Sequence, residues 1–288
     1  MQVSIIIPTM KGREELLSKL LLSIPCEGKG VKEGTSVKYP FKYEVIVVDD
    51  EDLLLAAKRN KGAKQAKGEY LFFVDDDNYL ESGAIEAALE AIEKEGVGIV
   101  GFMACYDDKK NYIADGGSNR NYLTGFTTGV YTNFFWPDIG HKPYEVDEVA
   151  NAFMIHAEDF FMLYGFDEKN FPMDMNESDL CKRVKDLGMK VMMCPMARCY
   201  HKSVTYNCFP TFRRGMYAYF HGCGRINYSR KFNHGLRYWL HIGIFVPLFI
   251  CFYTASLLAR RNFKVILPFW KGIADGLQGR IKNKYQQS

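Results

Sequence analysis

Acidic residues almost vanish from the last third of the chain. From Arg198 onward there are 15 Lys and Arg against one acid, Asp275, a local charge of +14, while the residues before it carry −11. The overall charge of +3 conceals that division. A paired-cysteine framework is also missing: there are eight cysteines but no CxxC. That argues against a disulfide scaffold and for a reduced, cytosolic compartment. The tightest cluster, Cys194, Cys199, His201 and Cys208, matches no familiar zinc spacing. The opening "MQVSIIIPTMKG" has no basic region followed by a long apolar stretch, so no signal peptide is expected. What the chain does have is core material. With 48% hydrophobic and 15% aromatic residues over 288 positions, it is long enough for one large or two small domains and is not disordered.

One run lacks charge altogether. Residues 238–259, "YWLHIGIFVPLFICFYTASLLA", contain no Asp, Glu, Lys or Arg. Roughly 20 apolar residues suffice to cross a bilayer. His241 and Pro247 interrupt the run, and basic residues flank both ends: Arg230, Lys231 and Arg237 before, Arg260, Arg261 and Lys264 after. Two basic flanks give no orientation by the positive-inside rule. They suit a kinked, re-entrant or in-plane segment better than a clean crossing. A buried core helix is the plainer alternative. A basic tail can also face nucleic acid, but cations interleaved with a long apolar run suit lipid better.

Before that tail, β and α patterns alternate. Val3–Ile7 and "YEVIVV" (43–48) read as buried strands, "EYLFFV" (69–74) as a third and "VGIVGFMAC" as a fourth. "GREELLSKLLLSI", "DLLLAAKRNKGAKQA" and "GAIEAALEAIEKE" read as helices, the last with Ser82 as N-cap and Gly96 as its close. Residues 26–43 read as a surface loop. The alternation implies a parallel sheet with helices on both faces.

Two of these strands end on acids: Asp49 and Asp50, then Asp75, Asp76 and Asp77. Ligands of open parallel sheets bind beyond the carboxyl ends of the strands. Extended backbone turns Asp75 and Asp77 to one side and Asp76 to the other. Asp75 and Asp77 can therefore share a hard divalent ion, Mg²⁺ or Mn²⁺, and the phosphate it carries. The plainer reading is a solvated acidic turn before a helix. "MNESDLCKRV" has a plain reading too, a helix capped by Asn176 with Asp179 paired to Arg183. That reading leaves Glu177, in the first turn, without a role.

Four segments occur in order: "VSIIIPTMKGREELLSKLLLSI", "VIVVDD", "RNKGAKQAKGEYLFFVDDDNYL" and "YGFDEKNFPMDMNESDLCKRVKDLGMKVMMCPMARCYH". Together they resemble the inverting family 2 glycosyltransferases over about residues 2–202. Past residue 202, "FRRGMYAYFHGCGRINYSRKF" and "LPFWKGIADGLQGR" are similar to the rhamnosyltransferase-like branch. The resemblance implies an α/β, GT-A-like (Rossmann-like), mostly parallel sheet over 1–202. Residues 203–288 would form a helical membrane-associating extension.

The resemblance also implies site roles. Pro8 and Thr9 would lie against the base or ribose, and Asp50 would accept a hydrogen bond from the base, with Asp49 supporting the turn. Asp75 and Asp77 match the DxD motif. Asp77 would be the direct metal ligand, Asp75 would lean toward ribose or sugar while sharing the ion, and Asp76 would join the nucleotide-sugar-binding group. Arg59 and Asn60 precede the metal strand and would join the nucleotide-sugar-binding group; Arg59 either reaches a phosphate or is an exposed helix charge. His201 would approach the metal or diphosphate. Asp115, Gly116 and Gly117 would form a loop near the sugar, and the Gly165–Asp167 turn would be architectural. The catalytic base would be Glu177 or Asp179. A helix N-terminus favours negative charge, and an ionised carboxylate is the form that accepts a hydroxyl proton.

This chain departs from the family pattern in one place: Asp50 leads almost directly into "LLLAAKRNKG", without an intervening strand and helix. UDP, GDP and dTDP donors therefore all stay open. The expected activity is metal-dependent, inverting transfer to an acceptor hydroxyl, with a lipid-linked or other saccharide acceptor at the cytoplasmic membrane face and no nucleic acid. The alternatives are a polyprenyl-phosphate sugar synthase and an inactive membrane-peripheral scaffold. A sugar-nucleotidyltransferase is disfavoured because "IPTMKGREE" has no glycine-rich nucleotide loop.

Overall fold

The computed structural model describes residues 2–25, 41–202 and 211–281. Cys208 and residues 26–40 of the expected surface loop lie outside the described residues. The β-branched start forms β1 (Gln2–Pro8), and the leucine-spaced segment after it forms α1 (Glu14–Ser23), ending just before Pro25. Then follow β2 (Lys42–Val48), α2 (Leu55–Gln65), β3 (Tyr70–Val74), β4 (Asn78–Leu80) and α3 (Ala84–Ile92). Next come β5 (Val97–Tyr106), β6 (Ile113–Asp115), β7 (Ser118–Arg120), β8 (Thr127–Gly129), β9 (Tyr144–Glu145) and β10 (Ala152–His156). The α4 (Ala157–Met162), α5 (Asn176–Asp186) and β11 (Lys190–His201) elements complete the α/β part.

The main sheet runs β2-β1-β3-β10-β5-β11-β4, with β6 paired to β5 and β9 to β11. Strand β1 is parallel to β2 and to β3, and β5 is parallel to β11; β10 is antiparallel between β3 and β5. The sheet is therefore mixed. Helices α1 and α3 supply core side chains such as Leu20 and Ala88 to one face, while α2, α4 and α5 supply Ala63, Phe160 and Leu180 to the other. Gly62 brings α2 close to the sheet: a Cβ there would stand 2.5 Å from Ile6 Cγ2. That approach also carries Arg59, one helical turn earlier, into the interior.

Three local expectations are corrected. Strand β2, read as buried, is an edge strand with Val45 and Val47 exposed, because it has one neighbour and only part of its surface is covered. Gly83, at φ 86°, takes the N-cap of α3 in place of Ser82, and the helix ends at Ile92, short of Gly96. Asn176 does not cap α5. Met175, at φ 64°, precedes the helix, and the Asn176 amide oxygen is used elsewhere.

The extension is helical: α6 (Thr211–Phe232), α7 (Gly235–Leu240), a π-helical segment (His241–Phe245), α8 (Val246–Ala259) and α9 (Ile266–Leu277). Helices α6 and α9 touch backbone to backbone at Gly272, whose Cβ would sit 2.0 Å from Tyr219 O. Helix α6 docks on the α/β part through polar contacts. His221 Nδ1 lies 2.9 Å from Asp174 Oδ2, and Lys231 Nζ lies 2.8 Å from Asp167 and 2.6 Å from Asp179.

Candidate active site

The parallel register brings the ends of β1, β2 and β3 to one edge. Pro8 stands opposite Val48, and the Thr9 N–H donates to Val48 O at 2.9 Å. Thr9 Oγ1 donates to Asp76 Oδ2 at 2.6 Å, while Lys58 Nζ holds Thr9 O at 2.6 Å. Past β2, Asp50 is partly exposed and paired to Lys61 at 2.7 Å. It is available to a ligand at that edge, and α2 begins at Leu55 with no strand between.

The three aspartates do not stand alone. One guanidinium nitrogen of Arg13 lies 2.7 Å from Asp76 Oδ1 and 2.6 Å from Asp77 Oδ2. Arg59, fully buried, donates to Asp75 Oδ1 at 2.8 Å, Asn176 Oδ1 at 2.7 Å and Glu177 Oε1 at 2.6 Å. Arg59 is therefore neither an exposed helix charge nor a phosphate ligand; it is an internal clamp between the acidic turn and the start of α5. Asn60, expected at the nucleotide, instead donates to Phe166 O and Glu168 and accepts from the Phe166 N–H. It braces the Gly165–Asp167 turn. Arg13 carries no signal in the sequence, where "KGREE" reads as the start of a surface helix; nothing in that spacing foretells its contact with Asp77, 64 positions away.

His201 arrives by strand pairing. Strand β4, which follows the aspartates, pairs antiparallel with the end of β11, and His201 is in register with Asn78. This sets His201 Nε2 3.5 Å from Asp77 Oδ1. Burial opposes charge on His201, but the carboxylates of Asp77, Asp75 and Asp115 outweigh it and raise the imidazole pKa. Burial works upward on Asp77 as well, yet His201 and Arg13 hold it below the ordinary aspartate value. Asp76 is pushed up to about 6 by burial, against the pull of Thr9 and Arg13. Asp75 is also raised, first by burial. Asp115, half-buried with its Oδ1 accepting the Gly117 N–H at 2.8 Å, is raised by partial desolvation and lies close enough to feel His201 and Glu177. From α6, Tyr217 reaches the same neighbourhood. Burial and then the charges of Asp75 and Asp77 push its hydroxyl up to about 12.

The two candidate bases differ in placement. Glu177 is part-exposed, at 16%, and is held by Arg59. Asp179 is wholly buried, with Arg183 at 2.7 Å and Lys231 at 2.6 Å. It ties α5 to itself and to α6 and does not open on the cleft, which corrects its candidacy as the base.

Among the described residues, no three His, Cys, Asp or Glu side chains converge as a metal cage. Asp75 is turned to Arg59 and does not join Asp77 and His201 around one point. Cys194 and Cys199 bond to Ala87 O and Asn78 Oδ1, so the cysteine cluster is structural within what is described. The Asp77–His201 pair, one carboxylate and one imidazole 3.5 Å apart, does fit two adjacent positions on a divalent ion. Such ions commonly take one or two protein ligands and complete their shell with phosphate and water. A separate cavity of about 540 Å³ is lined by Asn60, Lys64, Tyr164, Gly165, Asp167 and Arg183 among others. Neither Asp77, His201 nor Glu177 lines it, so this cavity is separate from the acidic edge of the sheet.

Residues 51–137 match the family model described as Glycosyl transferase family 2. The matched stretch includes Arg59 and all three aspartates, while Glu177 and His201 lie beyond it. No curated protein sequence matches significantly. Among solved structures, a mannosyltransferase from Pyrobaculum calidifontis, in complex with GDP-Man and Mn²⁺, is similar in fold. It has a TM-score of 0.52 at 12% identity, over 97% of this chain and 88% of that one. GalNAc-T7, solved with UDP, GalNAc and Mn²⁺, has a TM-score of 0.51 at 15% identity over 85% of this chain. This chain spans only 56% of the length of that structure. The matches assign no branch within the family. Residues 51–137 are thus similar to glycosyl transferase family 2, and the chain shares the GT-A-type α/β fold of these two solved transferases.

Proposed function

We propose that the protein transfers a sugar, with inversion, from a nucleoside-diphosphate donor to an acceptor hydroxyl. The observation that carries this reading is the Arg59 clamp, which holds Glu177 at 2.6 Å and Asp75 at 2.8 Å on one guanidinium. It sets a part-exposed carboxylate beside the acidic turn. Glu177 accepts the proton of the attacking hydroxyl, and Arg59 fixes its orientation so that the carboxylate faces the acceptor. Asp50 and the Pro8–Thr9 edge take the base and ribose. Asp77 and His201 are the residues that would hold a divalent ion, Mn²⁺ or Mg²⁺. When bound, that ion neutralises the departing diphosphate. The Mn²⁺ complexes of the two similar structures, with UDP and with GDP-Man, support a metal and a nucleotide-sugar donor in general terms.

For the acceptor we favour a lipid-linked saccharide at the cytoplasmic membrane face. Supporting this, His241 Nδ1 lies 2.8 Å from Leu123 O, and Arg225 donates to Gly125 O at 3.0 Å. The same loop receives Arg120, whose guanidinium also touches Met175, two residues before Glu177. The apolar extension thus touches a loop that Arg120 links to the residue two before Glu177, which supports an acceptor approaching from that side.

The test is calorimetric titration of UDP, GDP and dTDP, each with and without Mn²⁺, on wild type, Asp77→Ala and Glu177→Gln. Manganese-dependent binding of one nucleotide should disappear in Asp77→Ala and persist in Glu177→Gln, while transfer to a hydroxyl acceptor is lost in both. Transfer that survives Glu177→Gln would favour a polyprenyl phosphate as nucleophile, since a bare phosphate needs no strong base. No nucleotide binding at all would leave a membrane-peripheral scaffold.

A further inference from the structure

The backbone is helical from Gly235 to Ala259, long and apolar enough to cross a membrane. Its two faces differ sharply. The inner face is laid on the protein: Val246, Phe249 and Leu257 join Ala218 and Ile226 of α6 and Phe269 of α9 in one apolar cluster. The outer face is apolar and bare, with Leu236 74%, Trp239 69%, Leu248 57%, Phe252 70% and Leu258 47% exposed. A second stripe, Leu267, Trp270 and Leu277, is exposed on α9.

Lipid cannot reach the inner face without stripping the helix from its supports, and those supports are anchored by polar and charged groups. Arg225 of α6 packs on the Phe249 ring at 4.1 Å, and His221, beside Phe249 and Tyr253, is bonded to Asp174 of the α/β part. His241, near the other end, is tied to Leu123 O. A lone helix crossing a bilayer meets hydrocarbon around its whole circumference, whereas this one offers hydrocarbon about half and rests the other half on α6 and α9.

Charge decides what covers the bare half. Arg237, Arg260, Arg261, Lys264, Lys271 and Arg280 are all exposed. The one acid between residues 235 and 281, Asp275, is buried and accepts from Tyr219 at 3.0 Å. A second copy of the chain would set two cationic rims against each other, while an anionic lipid surface complements them. Trp239 and Trp270 suit the headgroup level.

We propose that the outer face of residues 235–259, with the α9 stripe, docks into one leaflet of an anionic bilayer and lies in its plane without crossing. This deepens the membrane reading above and does not depend on the transfer chemistry. The partner is the phospholipid surface itself. Its anionic headgroups take the flanking cations, and its acyl boundary takes Leu236, Leu248 and Phe252.

Cys251, exposed at the middle of the outer face, is the natural reporter. The full chain, with Cys26 and Cys208 changed to Ser, would be labelled there with a polarity-sensitive fluorophore. It would then be floated with vesicles of phosphatidylglycerol and phosphatidylcholine, or of phosphatidylcholine alone. Binding to the anionic vesicles, with the label moving into an apolar environment, is the expected result. Changing Arg260, Arg261 and Lys264 to Gln should weaken it roughly 100-fold, at roughly fivefold per charge. Cysteines introduced at the two flanks, His234→Cys and Lys264→Cys, should both react with an impermeant maleimide added outside the vesicles. If one flank is protected, the helix spans and the in-plane proposal falls while the membrane reading survives. If no vesicle binds, both fall, and nucleotide titration of the same sample reports separately on the donor site. A dimer that shields the Cys251 label in lipid-free buffer would assign the face to a second copy and overturn the proposal.

Discussion

Replacing Arg59 with methionine probes the junction on which the proposed chemistry rests. Methionine fills much of the space without charge or donor. The guanidinium is wholly buried, whereas the Asp75 and Glu177 side chains keep 24% and 16% exposure. Breaking a buried pair by removing one partner costs about 3–5 kcal/mol, because the other is left uncompensated. Here two carboxylates and the Asn176 oxygen lose their donor together, but their partial exposure lets water recover some of the loss. The expected destabilisation is therefore near the lower end, about 3 kcal/mol. With about 2–4 °C per kcal/mol for chains of this size class, melting should fall by about 6–12 °C. Asp75, already raised by burial, should be raised further once the opposing charge of Arg59 is gone. Thermal and urea unfolding of wild type, Arg59→Met and the double variant Arg59→Met/Glu177→Gln provide the assay. The double variant should recover part of the loss, since it removes one of the two stranded anions. A loss below about 1 kcal/mol, the worth of an exposed ion pair, would refute the clamp.

Three further outcomes follow from the structure. Asp179→Asn should destabilise by about 3 kcal/mol, because it loosens Arg183 and Lys231 from a buried carboxylate, yet leave turnover per folded molecule near wild type. Glu177→Gln should cut turnover about 100- to 10,000-fold, and the opposite pattern would exchange the two roles. Docking of α6 should be acid-labile at Asp174. Burial pushes this carboxyl upward, but the His221 hydrogen bond and charge and the Arg225 charge outweigh it and hold it below its usual 3.8. A depressed carboxyl stabilises the fold above its unfolded pKa, and that stability is lost as pH falls through the folded value. Melting curves should therefore be insensitive to this group near neutrality and fall below pH about 4, an acid limb that Asp174→Asn should flatten.

How much of this was legible beforehand differs by element. Strands β1 and β3 were plain because their β-branched and aromatic runs are buried on both faces. Strand β2 has the same composition, but edge position is a property of the sheet and not of the strand, so its exposure was hidden. The acidic turn was legible as a cluster, and its neighbours were not. Arg13 and Arg59 lie 64 and 16 residues from their aspartate partners, and Glu177 lies 118 residues from Arg59.

The alternating α/β pattern, the aspartates at a strand end, the acidic turn of α5 and the uncharged run in a basic tail are all written in the order of residues. These are local features, set by side-chain periodicity, residue type and spacing within single segments. Which cations answer those aspartates depends on the folded chain, because sheet register and the close packing at Gly62 bring them together. Burial under α6 likewise separated Glu177 from Asp179, two residues apart on the same helical turn. The helix 235–259 shows the same division: its composition allowed a membrane span, and its packing on a polar, anchored helix left a single face free for lipid.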